Sequence, residues 1–68
     1  MKYIALFSTN ETTYSKIFDD CTSKDEALER VRELVNSSHF GFFECDDGYF
    51  VRFDAVEALR VHRMEVDW

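Results

Sequence analysis

The sequence predicts the α+β class: an antiparallel sheet of four to five strands with one helix packed on one face, in the order β-β-α-β-β-β. Three observations carry this. One capped stretch has apolar residues at helical spacing, two pairs of short β-forming runs are each closed by turn residues, and a last run alternates. The 68 residues are 46% hydrophobic and 16% aromatic, which excludes a disordered tail and predicts a single small domain. Surface scaling lets a chain this short bury only about 60% of its unfolded area, so its core is thin.

Residues 3–7 are apolar and rich in β-formers, Thr9-Asn10-Glu11-Thr12 has turn chemistry, and Thr13 to Phe18 is extended. With Asn10-Glu11 at the tip, Ile4 faces Ile17 and Leu6 faces Ser15 on one side. Tyr3, Phe7, Tyr14 and Phe18 share the other side with Lys16. Both faces of this hairpin are thus substantially apolar.

Ser23-Lys24-Asp25-Glu26 reads as a capping box, with Ser23 as N-cap and Glu26 three residues on. Ala27, Leu28, Val31, Leu34 and Val35 then form one apolar stripe, opposite Glu29, Arg30, Arg32 and Glu33. Asn36-Ser37-Ser38 ends the helix, which spans residues 24–36.

Asp47-Gly48, between Phe40–Cys45 and Tyr49–Phe53, is the strongest two-residue hairpin signal, because a type I′ turn needs positive φ. That turn pairs Glu44 with Val51, Phe42 with Phe53 and Cys45 with Phe50. Phe40, Phe42, Tyr49, Val51 and Phe53 then face the core, leaving Phe43, Phe50 and Cys45 outside with Arg52. Asp54 with Glu57 caps one helical turn or marks a bend, and Leu59 to Val66 alternates as a last strand.

Two hairpins therefore each present a second apolar face, Tyr3, Phe7, Tyr14 and Phe18 in one and Phe43 and Phe50 in the other. One helix cannot cover both sides of such a sheet, which predicts self-association as a homodimer or a protein partner on that face. The competing expectation is that Met64, Val66 and Trp68 fold back over it.

Fourteen acidic against eight basic side chains give a net charge of −6, which disfavours direct nucleic-acid binding. It suits a partner that is basic or itself binds nucleic acid, up to mimicry of nucleic acid's charge. Asp19, Asp20, Glu44, Asp46, Asp47, Glu65 and Asp67 are the candidate acidic contacts. No apolar run approaches the ~20 residues of a membrane span. No basic stretch followed by an apolar segment opens the chain, so the expected location is cytoplasmic and Cys21 and Cys45 are expected reduced.

The dinucleotide, phosphate-loop, zinc-protease, serine-hydrolase and CxxC signatures are missing, and Gly41 and Gly48 read as a strand kink and a turn. Cys21, Cys45, His39 and His62 are scattered singly, whereas structural zinc sites bring ligands in close pairs, so the expectation is no metal and no cofactor. Acidic neighbours disfavour thiolate at either cysteine, and Asp19-Asp20 and Asp46-Asp47 read as turn and capping residues.

These readings point to a non-enzymatic acidic binding protein that occupies a partner protein's surface. Chains of this size and charge include phage and mobile-element inhibitors of host machinery, an analogy of class. The alternative is a small-ligand or single-stranded nucleic-acid module that stacks bases on Tyr3, Phe7, Tyr14 and Phe18 beside Lys2 and Lys16.

Overall fold

The computed structural model describes residues 2–64. Its order is β1 (Lys2–Ser8), β2 (Thr13–Phe18), α1 (Lys24–Asn36), β3 (Phe42–Glu44), β4 (Phe50–Arg52) and β5 (Ala58–Met64). The class and order are those the sequence predicts. The sheet is smaller: β2, β1 and β5 form one three-stranded antiparallel sheet in that order, and β3 and β4 form a separate two-stranded one.

The first hairpin has the expected register, Ile4 opposite Ile17, Leu6 opposite Ser15 and Phe7 opposite Tyr14. Its turn is held by Thr9: the Thr12 carbonyl accepts the Thr9 amide at 2.8 Å, and the Thr9 hydroxyl accepts the amides of Glu11 and Thr12 at 3.3 and 3.2 Å. This side-chain turn substitutes for the positive-φ pair that Asn10-Glu11 does not provide.

Helix α1 spans the expected residues, and the Ser23 hydroxyl accepts the Glu26 amide at 3.1 Å. The Glu26 carboxylate takes the Thr22 hydroxyl at 2.9 Å. Ala27 and Val31 are buried against the sheet, Leu34 and Val35 are half-buried, and Leu28 lies at the rim.

The core lies on the sheet face that carries Tyr3, Ala5, Phe7 and Val61, with Cys21, Ala27, Val31, Phe43, Cys45 and Val51 packed onto it. This corrects the expectation of an exposed second face. Tyr3, Phe7 and Phe43 are buried, and Tyr14 and Phe18 are partly buried against them. The second hairpin does not extend the sheet; it lies over the core face beside α1, with the Phe43 ring 4.8 Å from Phe7. The helix and the hairpin thus cover one face together, which one helix alone could not. The opposite face carries Ile4, Leu6 and Ile17 and has no layer over it among the described residues.

The second hairpin also pairs one residue away from the expected register. Phe42 is opposite Arg52, Phe43 opposite Val51 and Glu44 opposite Phe50. Asp46–Gly48 form a turn of 3-10 helix, closed by the Cys45 amide on the Tyr49 carbonyl at 2.7 Å, so the connection is longer than two residues. A one-residue slip turns one strand over relative to the other, here β3. Phe43 and Cys45 therefore join Val51, already expected inside, while Phe40, Phe42, Tyr49, Phe50 and Phe53 are exposed.

After β4, Phe53–Ala55 make a second 3-10 turn, and β5 pairs with β1 through Ala5 and Val61 to Lys2 and Met64. Glu65, Val66, Asp67 and Trp68 lie outside the described residues, and with them the expected end of the last strand, two of the acidic contacts and the folded-back tail.

Candidate partner-binding surface

The second hairpin begins with a turn that the sequence conceals. The His39 amide donates to the Phe42 carbonyl and the Phe42 amide to the His39 carbonyl, both at 2.9 Å, with Phe40-Gly41 between them. Phe40 has φ 55° and Gly41 φ 79°, the two positive values of a type I′ turn. Glycine adopts this backbone freely, but the left-handed region costs an L-residue about 1–2 kcal/mol. Phe40 holds it while 91% exposed, touching the His39 ring edge-on at 5.3 Å. An aromatic side chain in that conformation, turned to solvent, contributes little packing to this fold.

The outer face of the hairpin continues from that tip. The Arg52 guanidinium lies 5.9 Å from the Phe42 ring centre and also pairs with Asp54 at 2.8 Å. Phe50, opposite Glu44, is 66% exposed. Tyr49 alternates with Phe50 onto the other side, where, 59% exposed, it leans on Tyr14 at 5.7 Å. Aromatics and arginine held at a surface have the composition of an interface core, and single exposed apolar residues do not. Sequence reasoning assigned Phe40, Phe42 and Tyr49 to the core. The signal that could have found them is Gly41 itself, one residue after Phe40 and flanked by chain able to close a two-residue turn.

The acidic candidates among the described residues have separate roles. Asp19 and Asp20 are exposed just beyond the end of β2, and Asp20 is held by Arg30 at 2.9 Å. Glu44 is on the outer face of the second hairpin. Asp46 has a structural role: its carboxylate accepts the Ile17 amide at 2.9 Å and lies 3.9 Å from the Lys16 ammonium, which closes the outer edge of β2. The same pull explains the longer hairpin connection, because Asp46 reaches β2 instead of joining a tight turn with Gly48. The Asp47 backbone belongs to that connection.

Neither cysteine is poised as a nucleophile. Burial pushes the Cys21 thiol up, Asp20 adds to the effect, and Arg30 opposes it. Burial and then Asp46 push Cys45 up to about 11, against the pull of Lys16. Both are free thiols inside the core. Among the described residues, no three His, Cys, Asp or Glu side chains are grouped to hold a metal ion, and no helix is long and apolar enough to cross a membrane.

Comparison with protein-family models, curated proteins and solved structures gives no match.

Proposed function

We propose that this chain is a binding protein that acts by occupying the surface of a partner protein, with the aromatic face of its second hairpin as the contact. The observation that carries this reading is Phe40, displayed at the tip of a type I′ turn in a backbone conformation unfavourable to it. Strain at a surface residue is a pointer to function when nothing in the fold uses the side chain. Phe42 and Phe50 continue the apolar surface, and Glu44, Arg52 and Asp54 give it a mixed polar rim.

The net charge of −6 supports a basic partner, or one that itself binds nucleic acid, with Asp19 and Asp20 steering the encounter. Inhibition of host machinery by a phage or mobile-element protein is a class of action that fits an acidic chain displaying an aromatic contact surface. Stacking of bases on the first hairpin has less support, because Tyr3 and Phe7 lie in the core and present no ring to a ligand.

The test is capture from a lysate of the source cells by immobilised wild type, Phe40→Asn and Phe50→Glu, with thermal melts to verify folding. One stoichiometric protein retained by wild type and lost from both folded variants is the expected result. Retention that is indifferent to both substitutions overturns the hairpin as the contact. Recovery of nucleic acid by the wild type, unaffected by either, overturns the protein partner as well.

A further inference from the structure

The two outer edges of the three-stranded sheet are treated differently, and the difference points to a second surface. Asp46 takes the outward amide of Ile17 on β2. Ile4 and Ile17 are therefore a pair without mutual backbone bonds, and alternation turns Ile4, Leu6 and Ser8 towards β5. Their partners His62, Arg60 and Ala58 face β1, which leaves the backbone groups of Leu59 and Val61 directed at the open edge. Among the described residues no strand pairs there. The edge is seven residues long, unbroken in register and free of proline.

Beside it, on the core face, Leu28, Val31, Val35, Phe53 and Leu59 line an apolar groove of about 270 Å³ with Arg32 at its wall. On the other face β5 carries Arg60 and His62, Lys2 lies further along beside Met64, and no described strand places an acidic residue on that face. In a chain of net charge −6, counted with histidine neutral, this face carries the cations Arg60 and Lys2 and no carboxylate from a described strand.

We infer that the open edge of β5 takes an extended segment of a partner protein as a fourth strand, one that alternates apolar side chains, directed into the groove, with acidic side chains, directed at Arg60 and His62. Strand addition of this kind draws affinity from main-chain bonds and specificity from alternate side chains. Charge selects the acidic segment over a second copy of this chain. Antiparallel self-pairing centred on Val61 brings the Arg60 of both copies onto one face, with no carboxylate from either described strand beside them. The edge is distinct from the aromatic hairpin, so either surface can fail without the other.

The probe is a blocked, fluorescein-labelled seven-residue peptide alternating Val and Glu, followed by anisotropy. Saturable binding is expected, weakened at least about tenfold when Lys replaces Glu in the peptide and likewise by Arg60→Glu in the protein. N-methylation of one alternate set of peptide amides should abolish binding and methylation of the other set should leave it, since only one set faces the edge. This comparison leaves the protein unaltered, so misfolding cannot imitate it. Absence of binding, equal effects of both methylated sets, or a wild-type dimer that Leu59→Pro converts to monomer would each overturn the inference.

Discussion

Phe40 and Cys45 show how single side chains depart from what their neighbours in sequence suggest. Phe40-Gly41 takes the positive-φ turn that Asp47-Gly48 advertises more strongly, and a phenylalanine there is strained. Phe40→Asn should therefore raise stability, by up to about 1 kcal/mol in urea unfolding, because Asn tolerates the left-handed region. A loss of stability would mean that the ring packs on this chain after all. Cys45 makes a pH prediction. Its thiol is raised to about 11, so the folded state holds the proton more tightly than the unfolded chain does. That contribution is full below the unfolded thiol's range and is lost as pH rises through about 11. Between about pH 8.5 and 11, wild type should lose on the order of 1–2 kcal/mol more than Cys45→Ala. Parallel pH profiles for the two would show that the thiol is not held neutral by the fold.

At the scale of elements, local chemistry explains what was legible. The helix announces itself through Ser23, Glu26 and the stripe from Ala27 to Val35. The first hairpin does so because only one register joins Ile4 to Ile17 across a four-residue turn. The second hairpin was misread by one residue, since its register depends on Asp46 binding β2, a contact between residues 29 positions apart that no local pattern reveals. Leu28 belongs to the helical stripe yet lies at the groove, because the width of the covered face is set by where the hairpin packs. Two expectations follow from these positions. Val31→Asp should cost more than about 3 kcal/mol and unfold the chain, while Leu28→Asp should stay within about 1 kcal/mol. Equal thermal melts for the two would displace the helix. Asp46→Ala should cost about 1–2 kcal/mol and expose the β2 edge, which sedimentation should detect as concentration-dependent association. A monomer of unchanged stability would remove Asp46 from that role.

In the whole molecule, β1 is the central strand, bonded on one side to the strand that follows it and on the other to the last described strand. Half of its ladder therefore comes from β5, and Val61 completes the core over Ala5. A chain ended after Glu57 should lose cooperative unfolding and near-ultraviolet dichroism altogether; a sigmoidal melt from that fragment would mean that the first hairpin and helix suffice. The class and the order of elements could be read from the sequence because they are sums of local signals. The division into two sheets could not, because it turns on which face of a three-residue strand meets Phe7.

The pairing of Lys2 with Met64 has a consequence for modular architecture. Directly opposed residues in an antiparallel ladder lie about 5 Å apart, so the described chain enters and leaves at almost one point. A unit with that geometry can be spliced into a surface loop of a larger protein with little separation of the host's strands or helices. The aromatic hairpin would then be carried as cargo, and its display would not depend on the host's own fold.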